Sequence, residues 1–131
     1  MSSDVINIDR VLASFDELWA PRVLATVNDW AVKLAKVVGE HVWHAHPETD
    51  EVFIVLSGHL DIHWRNASHE VQLVRLGPRD VHVVPRGVEH RPSSAAGAVL
   101  MLVEPAATLS TGDFAGPLPS HVAATTGFET G

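Results

Sequence analysis

The sequence predicts an all-β fold, an antiparallel sandwich or barrel, preceded by a short N-terminal helix. Two observations predict it: β-rich runs alternate with turn residues from residue 22 onward, and the connections between these runs have hairpin length. No segment repeats at a fixed period, and no shift in composition marks a second domain. With 131 residues, of which 46% are hydrophobic, the chain has the size and composition of one folded domain.

The first 21 residues are expected to form an arm with a short helix, capped by Asn7 or Asp9 and ended by Pro21. Residues 22–108 are expected to form the barrel. The tail at 109–131 is rich in Thr, Gly, Pro and Ala, and we expect it to pack on the barrel or to be partly disordered, without a strand. The strands predicted in the barrel region are Arg22–Asn28, Ala31–Val38, His41–Ala45, Glu51–Ser57, His59–Trp64, Glu70–Arg75, Asp80–Val84 and Ala98–Glu104.

Charge and residue counts exclude several classes of partner and site. Sixteen Asp and Glu against nine Lys and Arg give a formal net charge of −7, so neither nucleic acid nor a membrane is expected as a partner. The N-terminus lacks the pattern of a signal peptide and no stretch is apolar enough to span a membrane, which favours a cytoplasmic protein. The chain has nine His but no Cys and no Tyr, so polar chemistry must use His, carboxylates, Lys, Arg or hydroxyls.

Three His and one Glu form a candidate metal site. His44 and His46 lie two apart in a β-type run, so their side chains would point to the same face. Glu51 opens the next predicted strand, and His90 follows a Pro-Arg-Gly turn. Three imidazoles and one carboxylate suit a divalent first-row metal ion such as Mn, Fe, Co, Ni or Zn.

The site has two open alternatives at this point. Two His at alternate strand positions are also common as ordinary half-buried residues without a metal. Asp50 adjoins Glu51, and because adjacent strand residues face opposite sides, only one of these carboxylates can face the imidazoles.

The spacing of these residues resembles that of the cupin superfamily. Residues 39–58, GEHVWHAHPETDEVFIVLSG, are similar to the first cupin motif, in which Gly, His-x-His, Glu and a second Gly follow one another. Residues 81–90, VHVVPRGVEH, are similar to the second motif, whose core is Pro-x-Gly-x-x-His. The motifs occur in the expected order, and with the strand count they extend the resemblance over residues 22–105.

The resemblance implies a small single-domain, RmlC-like jelly-roll β-barrel that holds one divalent transition metal ion (Mn, Fe, Ni, Co or Zn) near one mouth. The ligands would be His44, His46, Glu51 and His90. The first hypothesis is a metal-dependent isomerase or dioxygenase that acts on a small polar or anionic metabolite by Lewis-acid or O2-dependent chemistry. The second is a non-catalytic small-molecule-binding or sensory cupin. A homodimer is also expected, with residues 5–12 available to pair with a partner. The lack of Tyr and Cys argues against cupin epimerases and thiol dioxygenases.

The remaining polar and aromatic residues are assigned by strand alternation. The residues predicted to line the cavity are Phe53, Val55, Ile62, Trp64 and, as a candidate cation for an anionic substrate, Lys36. The groups considered for proton transfer near the metal are His82, Lys36, Glu104 and Glu40. The His expected to lie in exposed strands or loops are His41, His59, His63, His69 and His121.

Overall fold

The computed structural model describes residues 5–130 of the chain. The described part contains one short helix and eight strands. Their bounds are α1 (Ile8–Leu12), β1 (Arg22–Val27), β2 (Trp30–Glu40), β3 (Glu51–Gly58), β4 (Leu60–Arg65), β5 (Val71–Leu76), β6 (Val81–Val84), β7 (His90–Pro105) and β8 (Phe128–Glu129).

The longest strand, β7, joins the two layers of the fold. One of its edges pairs antiparallel with β2 from Pro105 to Ser93, with a register shift near Gly39. On its other edge, the first residues of β7 pair with β4 and the later residues pair with β3. β5 extends the β4 layer and β6 extends the β3 layer. The all-β, antiparallel jelly-roll prediction is therefore confirmed, although among the described residues β5 and β6 share no ladder and the sheet does not close.

The core lies between the inward faces of the two layers. β3 turns every second side chain inward, beginning with Glu51 and continuing with Phe53 and Val55. β4 does the same with Leu60 and Ile62, each fully buried. Glu51, the polar first residue of β3, belongs to this inward-facing series. It therefore lies at one end of the core rather than on the surface.

The N-terminal arm covers the outward face of β1 and β2 with a second apolar cluster. Phe15 packs there against Leu24 and Leu34. The ammonium of Lys36 donates to the carbonyls of Leu12 and Phe15, at 2.7 and 2.6 Å. Asn7 caps α1, since its side chain accepts a hydrogen bond from the backbone N–H of Arg10.

The structure corrects two of the predicted elements. The tail was expected to have no strand, but Phe128 and Glu129 form β8, which pairs parallel with β1. The strand predicted at His41–Ala45 is wrong: the segment makes one isolated bridge, between His44 and His90. Ala45 bonds instead to the C-terminal segment, a partner that local sequence cannot indicate. Among the described residues, no helix has the length and hydropathy needed to cross a bilayer.

Candidate metal centre

Four buried side chains converge at one end of the core. One nitrogen from each of His44, His46 and His90 and one carboxylate oxygen from Glu51 all lie within 4.8 Å of one another. His90 is fully buried and the other three are at most 6% exposed. Such a group of polar side chains, shut away from water, requires a common partner.

The backbone sets the position of two of the imidazoles. His44 and His90 exchange two backbone hydrogen bonds, of 3.0 and 2.8 Å, as an antiparallel pair. The Nδ1 atom of His44 lies 2.8 Å from the carbonyl oxygen of Val42, and that of His90 lies 2.9 Å from the carbonyl oxygen of Val88. An Nδ1–H that donates to a carbonyl leaves the Nε2 lone pair free, which is the usual arrangement of a metal-binding His.

Glu51 supplies the carboxylate of the cluster. Its Oε1 atom lies 3.4 Å from Nε2 of His46 and 3.3 Å from Nε2 of His90. The neighbouring Asp50 turns the other way, and its Oδ1 accepts a hydrogen bond of 2.8 Å from the backbone N–H of Arg86. Glu51 therefore faces the imidazoles, and Asp50 stabilises the turn before His90.

The donor set fits a divalent metal ion. His46 Nε2, His90 Nε2 and Glu51 Oε1 are buried and make no hydrogen bond of acceptable geometry within the described residues. Each is a strong ligand atom aimed at the same point, and leaving such atoms unsatisfied is costly. Imidazole nitrogen with one carboxylate oxygen is a ligand combination that suits Mn, Fe, Co, Ni or Zn.

The C-terminal segment holds the loop that carries His44 and His46. The Asp113 side chain accepts a hydrogen bond of 2.7 Å from the N–H of Ala45, and the Asp113 N–H donates to the carbonyl of Ala45 at 3.0 Å. Gly112 allows this approach, because a Cβ built there would lie 2.4 Å from the Ala45 oxygen and 2.9 Å from the His44 ring. Sequence reasoning missed this contact, and no local signal indicates it.

Burial sets the charge state of the cluster. Desolvation, followed by the neighbouring His90, lowers the pKa of His44 to about 3. For Glu51, burial by itself raises the pKa, but the adjacent polar groups of His46, His90 and Glu104 outweigh it and hold the pKa well below its usual range. At neutral pH His44 is therefore neutral and Glu51 is ionised, the forms in which these side chains bind metals.

An inner cavity lies against the cluster. Its volume is about 40 Å³, and His44 and Glu51 form part of its wall. A buried contact between two side chains faces the same cavity, with Nζ of Lys33 3.2 Å from Oε2 of Glu104. Burial and then the charge of Glu51 raise the pKa of Glu104 to about 9. Of the groups considered for proton transfer, Glu104 is the one that the structure places beside the cluster.

A second, larger space lies on the outer side of the cluster. This groove measures about 570 Å³, and His46 lies in its wall with Trp30, Pro47 and Leu109. Thr108 lines both the groove and the inner cavity. Residues of the candidate metal site therefore line both the small inner cavity and the larger outer groove.

The structure separates the five residues predicted to line the cavity. Phe53 lines it beside Glu51, and its ring lies 6.2 Å from that of His90. Val55 and Ile62 are buried deeper in the core, and Trp64 lines a different cavity with His82. Lys36 lies outside the cavity lining. Its neighbours Ala35 and Val37 point inward, so Lys36 points outward to the N-terminal arm.

The prediction that His41 is exposed is wrong. His41 is 7% exposed, lines the inner cavity, and its ring lies 5.0 Å from that of Trp19 and 5.1 Å from that of His44. Trp19 reaches the cavity because the arm wraps over the end of the core. Glu40, in contrast, is on the surface, where its Oε2 atom lies 3.5 Å from Nη1 of Arg91.

Comparison with known proteins identifies the family and agrees with this fold. The chain belongs to the cupin family, since residues 32–104 match the model of the Cupin domain. The uncharacterized protein YdbB of Bacillus subtilis is 40% identical over 102 residues, which cover 78% of this chain and 87% of that protein. The crystal structure of a cupin-2 domain protein from Shewanella frigidimarina is 44% identical, with a TM-score of 0.72, and the match covers 77% of this chain and 94% of that one.

A more distant structure shares the fold. Hydroquinone 1,2-dioxygenase from Sphingomonas sp. TTNP3, solved in complex with 4-nitrophenol, matches with a TM-score of 0.69 at 20% identity. The match covers 78% of this chain and 32% of that one. At this identity the similarity is one of fold alone.

Proposed function

We propose that this cupin binds one divalent transition metal ion through His44, His46, Glu51 and His90 and acts on a small polar or anionic metabolite. The observation that carries the proposal is the convergence of buried ligand atoms that have no other partner in the described structure. A metal ion held here would supply Lewis-acid chemistry or activate water or O2. Manganese, iron, cobalt, nickel and zinc all suit these ligands.

The charge of the site favours a polar or anionic substrate. Three neutral imidazoles and one carboxylate leave a net charge of +1 around a divalent ion. The inner cavity adds one ammonium, that of Lys33, against one further carboxyl group, that of Glu104. A substrate with a hydroxyl, carbonyl or carboxylate oxygen would be attracted to such a centre.

The residues around the cavity support an enzymatic role. Glu104 faces the cavity beside Glu51 and carries a proton at neutral pH, so it is placed to donate a proton to a substrate bound there. Isomerisation requires such a group, and O2-dependent cleavage uses one as well. Phe53 and Leu102 form an apolar wall that keeps bulk water from the reacting atoms.

A non-catalytic small-molecule-binding or sensory cupin is the second candidate function. The outer groove, with the exposed ring of Trp30 and His46 in its wall, provides a binding surface next to the candidate metal site. The two candidates differ in the fate of the ligand, because an enzyme converts a compound that the binding protein would release unchanged.

The experiment begins with protein purified without added metal. We expect close to one transition metal ion per chain by inductively coupled plasma mass spectrometry, and a higher melting temperature when Mn, Fe, Co, Ni or Zn is added to chelator-treated protein. An empty site, together with no gain in melting temperature for any of the five ions, would overturn the metal assignment. Identification of the bound metal then narrows the chemistry to be assayed.

We also propose that the chain forms a homodimer through the outward face of β3 and β6. Val81 and Val83 on β6 are 62% and 46% exposed. They pair with Ile54 and Val52 of β3 in the ladder, so apolar side chains form one continuous outer surface. A second copy with the same surface can cover it around a two-fold axis. Light scattering should give twice the mass of the chain, and a monomeric mass would overturn this proposal.

A further inference from the structure

Lys33 is a buried cation whose place in the fold needs an explanation. Its side chain points inward from β2 to the inner cavity, and it is 2% exposed. Its Nζ atom lies 3.2 Å from Oε2 of Glu104, which is 3% exposed. Burying an ammonium and a carboxyl group is costly even when they pair, and an apolar pair of similar volume often gives equal or greater stability. Stability alone therefore does not account for Lys33.

The position of Lys33 relates it directly to the candidate metal centre. Glu104 lines the inner cavity together with Glu51, so the carboxyl group that contacts the Lys33 ammonium also borders the cluster. The inner cavity has His44 and Glu51 on its wall together with Lys33 and Glu104. Lys33 is therefore placed on the far side of the same small cavity that borders the metal ligands.

The hydrogen bonds of Lys33 leave room for a ligand. An ammonium has three N–H donors, and among the described residues Lys33 has one acceptor, Glu104. The cavity that it faces has about 40 Å³ of room, and one water molecule needs roughly 10 to 15 Å³ on the same measure. That space admits a group of a few non-hydrogen atoms, the size of a carboxylate with its neighbouring carbon.

The rest of the wall is mainly apolar and supplies no second ammonium or guanidinium. Ala35, Phe53, Leu100 and Leu102 line it on the sheet side. A mostly apolar cavity with a few convergent polar groups is typical of small-molecule sites. In such surroundings a buried ammonium binds an oxyanion strongly, because the low local polarity strengthens a charge-assisted hydrogen bond.

We propose that Lys33 is a specificity-determining residue that binds the carboxylate of a small ligand, such as a 2-oxo acid, whose other oxygen reaches the metal ion. The inference rests on the proposed metal-binding function and deepens it by naming the substrate class. Lys33 selects the carboxylate, and the size of the cavity limits the part of the ligand that enters it.

The test compares pyruvate with pyruvamide, its neutral counterpart of nearly the same shape. Chelator-treated protein is loaded with Co2+, and the visible spectrum is titrated with each compound. We expect wild-type protein to bind pyruvate at least about tenfold more tightly than pyruvamide, since a hydrogen bond to a charged group contributes about this factor. Lys33→Met should abolish the preference, and Lys36→Met, on the same strand but facing the arm, should retain it.

The outcomes separate this inference from the proposed function. Failure of wild-type protein to take up Co2+ overturns the metal site itself. If Co2+ binds but pyruvate binds no better than pyruvamide, or if Lys33→Met keeps the wild-type preference, the assignment of Lys33 is wrong and the metal site stands. The double variant Lys33→Met with Glu104→Met replaces both members of the pair by apolar side chains, and it provides the same comparison if the single variant does not fold.

Discussion

His44 and His90 are held side by side by two reciprocal backbone hydrogen bonds, of 3.0 and 2.8 Å, and their ring centroids lie 4.4 Å apart. Each ring also has its Nδ1 atom within hydrogen-bonding distance of the carbonyl two residues before it. Both imidazoles are therefore oriented by the backbone, which makes their Nε2 atoms a preorganised pair. Preorganisation of this kind lowers the entropic cost of metal binding.

Replacing His44 and His46 with Ala together should abolish metal binding. Loss of a residue that merely orients a ligand reduces metal affinity about 10- to 100-fold, so loss of two ligands should exceed about a hundredfold. Isothermal titration with Zn2+ or Mn2+ measures this directly. The matched control replaces His59 and His63 with Ala, and equal loss in this control would contradict the assignment of the cluster.

Gly112→Ala should lower both stability and metal affinity. Gly112 has a φ of +52°, and an added Cβ would meet the Ala45 oxygen at 2.4 Å and the His44 ring at 2.9 Å, so the loop that carries His44 must shift. We expect the free energy of unfolding to fall by about 1 to 3 kcal/mol, as in other overpacked sites. Urea unfolding and metal titration are the measurements.

Gly39→Ala is the control for this change. Gly39 also has a positive φ, of +85°, but an added Cβ would meet nothing within 4 Å. In this variant, backbone strain should lower the free energy of unfolding by about 1 kcal/mol, and metal affinity should be unchanged. Equal metal affinity in the Gly112 and Gly39 variants would mean that the C-terminal segment does not position His44.

His41 should make the metal-free protein less stable in acid. Burial lowers the pKa of His41 from 6.5 to about 4. The unfolded chain therefore takes up a proton at higher pH than the folded chain, so the contribution of His41 to stability is complete above pH 6.5 and is lost between pH 6.5 and about 4. The expected loss over this range is about 2 to 3 kcal/mol.

Urea unfolding of chelator-treated protein between pH 7.5 and 4 measures this slope. The stability of His41→Leu should depend less on pH than that of wild-type protein, since leucine does not titrate and the Nδ1 atom of His41 makes no hydrogen bond in the described structure. His69→Gln, at an exposed position, should leave the slope unchanged. An unchanged slope in His41→Leu would show that other groups cause the acid sensitivity.

Phe15→Ala should destabilise the fold without weakening metal binding. The ring is 6% exposed and lies between the arm and the sheet, with Arg22 and Lys36 4.4 and 4.7 Å from its centroid. We expect a loss of about 3 kcal/mol in the free energy of unfolding, typical of a buried Phe changed to Ala. Metal affinity should remain that of wild-type protein because this cluster is on the outward face of β2. Val5→Ala, at a position that is 97% exposed, is the control.

Much of the fold was predictable because its signals are local. Alternation along β3 and β4 shows which residues share a face, and Pro and Gly mark the turns, so seven predicted strands have counterparts in the structure. The wrong strand at 41–45 has a physical cause. Its last residue, Ala45, bonds to Asp113 in the C-terminal segment, and no local pattern shows that this segment reaches the loop.

The sequence by itself determined the strand order along the chain, the alternation of the core and the spacing of His44, His46, Glu51 and His90. Tertiary structure decided which charged side chains meet inside the core. Lys33 and Lys36 are three residues apart on one strand, yet one faces the cavity and the other faces the arm. The partner of Lys33 is Glu104, 71 residues further along the chain. Their meeting depends on the register of β2 against β7, which is set by hydrogen bonds and packing along the whole ladder rather than by either residue.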